Sequence, residues 1–123
     1  MSPKKKILVI DDDEAVLDCL QQTLGRMYDL IATTGPKFAV DLALRVNPDL
    51  IMCDIDMPDI NGRELSGRFF ECEHTRKIPF AYLTSFVSPG EVRCSHGNIG
   101  ARRSIAKATS VAEMIRIIEQ MLQ

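Results

Sequence analysis

No apolar run in this sequence approaches the ~20 residues that a membrane-crossing helix requires. The start Met-Ser-Pro-Lys-Lys-Lys is not followed by a signal-type apolar stretch, because Asp11 cuts the first apolar run short. Both absences point to a cytoplasmic chain with no membrane insertion. Charge of one sign is also lacking. The net charge is only −2, so no global field draws the chain to nucleic acid or anionic lipid. The short basic run Lys4–Lys6 reads as a solubilising lead-in to a strand rather than a nucleic-acid arm. The four cysteines, Cys19, Cys53, Cys72 and Cys94, show neither C-x-x-C nor a Cys/His spacing for zinc. Cys19, Cys53 and Cys72 fall within apolar periodic segments and read as core filler, which fits a reducing compartment. Internal repeats, low-complexity tracts and interdomain linkers are missing too. A length of 123 residues is therefore expected to form a single domain, 1–123, by the prior of roughly 100–200 residues each.

What is present is an alternation of two kinds of segment. Short apolar or β-rich runs occur at Lys6–Asp11, Tyr28–Thr33, Asp49–Asp54, Ile78–Thr84 and Arg102–Lys107. Helical patterns lie between them. Val16, Leu17, Leu20 and Leu24 share a face, as do Ala39, Leu42, Ala43 and Val46, then Leu65, Phe69 and Cys72. Val111, Met114, Ile115, Ile118 and Leu122 form the best stripe. Gly25, Gly35-Pro36 and Asn47-Pro48 punctuate these helices, and Ser110 or Thr109 can cap the last. The fourth helical segment is weak: Ser88–Glu91 has a capping-box form, but Gly97 and Gly100 leave room for only a short helix. Five strand–helix alternations imply a flavodoxin-like, doubly wound five-stranded parallel sheet, order 2-1-3-4-5, with helices on both faces.

In that topology ligands bind where strands one and three part, at their carboxyl ends. Asp11, Asp12 and Asp13 follow strand one and Asp54 ends strand three. Thr84 ends strand four and Lys107 strand five. Carboxylates ~4 Å apart repel by about 4 kcal/mol at an effective dielectric near 20, so a cluster of them calls for a cation. Oxygen ligands favour Mg²⁺, Mn²⁺ or Ca²⁺. Mg²⁺ commonly shares its shell with a phosphate, which Lys107 and Thr84 are placed to contact. Asp54 is then a candidate nucleophile, forming an aspartyl phosphate. Asp13 and Glu14 read instead as first-turn acids serving the first helix.

These residues carry a family resemblance over essentially the whole chain. "ILVIDDDE", "PDLIMCDIDMPDINGREL" and "AYLTSF" resemble the metal-binding, phosphoacceptor and switch-hydroxyl segments of response regulator receiver domains, the chemotaxis-regulator type included. The resemblance implies a non-enzymatic phosphoprotein of a two-component system or phosphorelay. Asp11 and Asp12 would hold Mg²⁺ with Asp54 and the backbone carbonyl of Asp56. Asp54 would take phosphate from a sensor histidine kinase or phosphotransfer protein, Thr84 and Lys107 would contact the phosphoryl group, and a downstream effector protein would read the result.

Three positions depart from the family pattern. Its Lys-Pro is here Lys107-Ala108, so the bond is either trans with an altered lysine loop or a strained cis. Its aromatic three residues before the lysine is here Ser104. Its fourth helix is here the Gly-rich segment Ser88–Gly100, whose reordering is the expected readout. The departures motivate a second reading, an unphosphorylated receiver acting as a protein-binding module; a third is a Mg²⁺-dependent phosphotransferase or phosphatase with an aspartyl-phosphate intermediate.

Overall fold

The computed structural model describes residues 3–85, 98–99 and 102–123. The short fourth helix, Phe86, Cys94, His96 and most of the Ser88–Gly100 segment lie outside the described residues. The strands are β1 (Lys6–Ile10), β2 (Asp29–Thr33), β3 (Leu50–Asp54), β4 (Phe80–Thr84), β5 (Asn98–Ile99) and β6 (Arg102–Ala106). The described helices are α1 (Glu14–Leu24), α2 (Ala39–Val46), α3 (Gly62–Glu71) and α4 (Val111–Met121), and a 3₁₀ turn at Pro36–Phe38 leads into α2.

The sheet order is β2-β1-β3-β4-β6-β5. Its five long strands are parallel, in the order anticipated from the sequence, with β6 as the fifth. The two-residue β5 is an addition: Asn98 and Ile99 pair antiparallel with Arg103 and Arg102 on the outer edge. Every residue of β3 and β4 is buried, as a strand covered on both faces must be. Alternate residues feed two cores. Ile7, Val9, Met52, Leu83 and Ile105 pack with Leu20 and Leu24 of α1 and Ile117 and Ile118 of α4. Leu8, Ile10, Ile51, Phe80 and Tyr82 pack with Ala39 and Ala43 of α2 and Leu65 and Phe69 of α3. Each fully buried Ile, Leu or Phe contributes about 1.5–3 kcal/mol, so the two cores hold the helices against opposite faces.

Local chemistry sets the helix ends. Asp13 Oδ1 accepts from the Ala15 amide at 2.9 Å, so Asp13 caps α1 as expected. Asn61 and Ser110 cap α3 and α4, accepting from Glu64 and Glu113 amides at 2.8 and 3.2 Å. Asn47 ends α2 at φ 51, a left-handed conformation that Asn tolerates better than most residues. Two expectations need correction. In α4, Val111 is exposed and Ile117 takes the buried place, because the helix rolls Met114, Ile117 and Ile118 onto the sheet. Of the described cysteines only Cys53 is core; Cys72 is half-buried, and Cys19 is exposed. Cys19 borders a cleft of about 230 Å³ that α1 and α4 leave open above Leu83.

Candidate functional site

The strand ends meet at one pocket. Asp11 follows β1, where its amide donates to the Thr33 carbonyl at 3.2 Å and its side chain is 0% exposed. Its Oδ1 accepts from the Asp13 amide at 3.0 Å. Its Oδ2 lies 2.8 Å from Lys107 Nζ, yet this buried oxygen has no aligned hydrogen bond. Asp54, also buried, ends β3 and lies with Oδ1 3.3 Å from the same Nζ. Asp12 is exposed at the pocket mouth. One carboxylate oxygen from each of Asp11, Asp12 and Asp54 falls within 4.8 Å of the others.

The remaining expected residues border this cluster. Thr84 is buried at the end of β4, next to the residue that faces Asp54 in the ladder. Its carbonyl accepts from the Lys107 amide at 2.8 Å, which ties the lysine turn to β4. The Asp56 side chain is exposed, while its backbone amide favours the charged form of the Asp54 carboxylate. The Lys107–Ala108 bond is trans, and the chain turns there through a Thr109 amide to Ala106 carbonyl bond of 3.0 Å. Ser104 is 1% exposed, its hydroxyl has no partner among the described residues, and it lies directly opposite the buried Tyr82.

The electrostatics follow from burial and crowding. Burial first, then the charge of Asp11, raises the Asp54 carboxyl above its ordinary range, while Lys107 and the Asp56 amide pull the other way. Burial pulls Lys107 down, but Asp11 and Asp54 outweigh it and the net shift is upward. Cys53, beside Asp54, is pushed up by burial and then by Asp54 and Asp11, which makes it an inert thiol. Among the described residues, three carboxylates cluster here and one ammonium, Lys107, pairs with two of them. Charges 4.8 Å apart still repel by about 3 kcal/mol at an effective dielectric near 20. The all-oxygen donor set and the excess of carboxylates over ammonium among the described residues fit a hard divalent cation.

Lys107 touching Asp11 was not anticipated; the sequence suggested only a phosphate contact. The signal was present in principle, since a buried acid needs a cation and Lys107 ends the strand beside β4. His74 is exposed, and Met57 and Phe80 are packing residues, as read from the sequence.

A parallel sheet with helices on both faces and a carboxylate cluster at its switch point defines a doubly wound α/β protein with an acidic pocket. The chain belongs to the response regulator receiver domain family of two-component signalling, whose family model matches residues 7–119. It is 31% identical over 120 residues to the polar-differentiation response regulator DivK of Brucella ovis, an alignment covering 96% of each chain. Among solved structures it resembles the BeF3-activated receiver domain of Klebsiella pneumoniae RstA, with a TM-score of 0.80, 26% identity and 97% and 99% coverage. It also shares its fold with the receiver domain of the sensor histidine kinase PA1611 of Pseudomonas aeruginosa, at TM-score 0.75 and 23% identity, covering 98% of each chain. That structure has magnesium coordinated in its active-site cleft. Among the described residues no helix is long and apolar enough to cross a membrane.

Proposed function

We propose that the chain, residues 1–123 acting as one cytoplasmic receiver unit, accepts a phosphoryl group on Asp54 and signals through protein contacts. The observation that carries this reading is the convergence of Asp11, Asp12 and Asp54 within 4.8 Å, with Lys107 against two of them. Asp11, Asp12, Asp54 and the Asp56 carbonyl are the groups that would hold Mg²⁺, whose charge offsets that of the carboxylates and the incoming phosphoryl oxygens. Asp54 supplies the nucleophilic oxygen. The phosphorus–nitrogen bond of a histidine kinase or phosphotransfer protein breaks as the Asp54–phosphorus bond forms, and the donor imidazole leaves. Lys107 and Thr84 are assigned to the phosphoryl oxygens. The buried carboxylate of Asp11 keeps Lys107 charged and pointed into the pocket. A downstream effector protein then reads the modified surface.

A second reading rests on Ser104 and the trans Lys107–Ala108 bond, which alter the side of the pocket away from β1. On that reading the protein binds partners without accepting phosphate. One experiment separates the two. The protein is incubated with Mg²⁺ and acetyl phosphate and followed by intact mass. A single phosphoryl adduct that disappears in Asp54→Asn supports phosphoacceptance. No adduct, and no change on adding beryllofluoride with Mg²⁺, supports the binding module.

A further inference from the structure

Gly62 opens α3 and its backbone is not left-handed, so freedom of φ is not why glycine stands there. The reason is space. A Cβ at this position would lie 2.4 Å from the Asp54 carbonyl oxygen, 2.8 Å from Ile55 Cα and 3.1 Å from the Asp54 carbonyl carbon. All three are backbone atoms at or beside Asp54, so no flexible side chain can yield. The Gly62 amide also donates to the Ile55 carbonyl at 2.6 Å. That bond closes the loop from 55 to 62 and encloses Asp56. Met57 and Ile60, both buried in the core beneath α2 and α3, pin the loop between its ends. A side chain at 62 therefore has two outcomes. The start of α3 retreats and the closing bond breaks, or the Asp54 peptide is displaced.

We infer that Gly62 is a positioning residue for the acidic pocket: by letting α3 sit against the Asp54–Ile55 backbone, it fixes where Asp54 and Asp56 reach toward a divalent cation. The inference rests on the reading that these residues hold Mg²⁺, and it adds a determinant that contacts neither metal nor phosphate. Gly67 supplies an internal control. It lies in the same helix, and a Cβ there would meet nothing within 4 Å.

The test compares wild type, Gly62→Ala, Gly67→Ala and Phe69→Leu, the last lowering core packing in the same helix. Mg²⁺ affinity is measured by calorimetry, and hydrogen exchange of the Asp56 and Gly62 amides is measured without metal. Gly62→Ala is also made in the Gly67→Ala background, where the better helix former raises stability. Gly62→Ala is expected to weaken Mg²⁺ binding by roughly tenfold or more, in line with the effect of supporting groups around metal sites. It also speeds exchange of both amides. Phe69→Leu lowers Tm and leaves affinity and those amides unchanged, and Gly67→Ala changes neither. A folded Gly62→Ala protein with the affinity and exchange rates of Phe69→Leu overturns the inference. A wild type that binds no Mg²⁺ overturns the phosphoacceptor reading instead, and the metal-free exchange rates then decide the role of Gly62 alone.

Discussion

The two ends of the sheet handle charge in opposite ways. At the amino end, Lys4, Lys6 and Asp49 each meet a complement. The Lys6 amide donates to Asp49 Oδ2 at 2.8 Å, and Lys6 Nζ donates to the Val46 carbonyl at the end of α2 at 3.2 Å. Lys4 Nζ donates to the Gly25 carbonyl at the end of α1 at 3.0 Å. The basic run is thus a pair of plugs for the negative ends of two helix dipoles. At the carboxyl end, among the described residues, three carboxylates cluster and one ammonium pairs with two of them, and one of the acids is 0% exposed. The amino end stabilises the fold as it stands. The carboxyl end holds like charges together, Lys107 offsets part of their repulsion, and an added cation would offset the rest, which is the property a binding pocket requires.

The sharpest way to break this contrast is Asp54→Asn. Acceptance of a phosphoryl group is expected to vanish, read as complete loss of the mass adduct. The same change is expected to raise the Tm of the metal-free protein at pH 7. The folded pKa of Asp54 is raised, so its favourable contribution is fully present below the ordinary carboxylate value of 3.8 and is lost as pH rises through the folded value. At neutral pH the ionised group opposes folding, and a neutral amide of the same shape does not. The Tm advantage of Asp54→Asn should therefore shrink as the pH is lowered toward 4. An Asp54→Asn protein less stable than wild type at pH 7 would contradict this account.

Next in size is Lys107→Met, which leaves the buried Asp11 facing Asp54 without a cation. Losing a partner from a fully buried pair costs about 3–5 kcal/mol; with 20% of the Lys107 side chain exposed, about 2 kcal/mol is expected. Mg²⁺ should restore much of that loss, so its stabilising shift in thermal unfolding should be larger in the variant than in wild type. An equal shift in both proteins would show that Lys107 and the metal do not answer the same charge.

Much of this was legible in the sequence, for identifiable reasons. Central parallel strands are apolar on both faces, so Ile7–Ile10 and the apolar residues 50–53 within Asp49–Asp54 stood out as uninterrupted runs. Strand order then brought Asp11 and Asp54 together without any knowledge of side-chain contacts. What stayed hidden depended on rotation and on short-range geometry. The face of α4 is set by how the helix rolls on β4 and β6, and the periodic stripe read from the sequence took in Val111 and passed over Ile117. Cys19 lies on the margin of the α1 stripe, and whether α4 closes over it is a matter of helix separation. β5 is too short to carry a strand pattern. The roles of Lys4 and Lys6 required knowing which helix ends lie beside β1.

The amino end offers the smaller tests. Asp49→Ala removes the acceptor of the Lys6 amide, and a loss of about 1 kcal/mol is expected in chemical denaturation. Mg²⁺ affinity should not change, because Asp49 and the pocket lie at opposite ends of β3. A fall in affinity would mean that the two ends are mechanically coupled through β1 and β3. Lys4→Gln should have the least effect. The ammonium is exposed, its contact is one hydrogen bond to a helix-end carbonyl, and water can replace it. Surface changes of this kind usually fall within about 0.5 kcal/mol. Raising the salt concentration should erase even that difference, since screening weakens a solvent-exposed charge–dipole contact far more than the buried pairs at Lys107. If salt instead leaves the Lys4→Gln difference intact while diminishing that of Lys107→Met, the contrast between an exposed, complementary end and a buried, like-charged end is drawn the wrong way round.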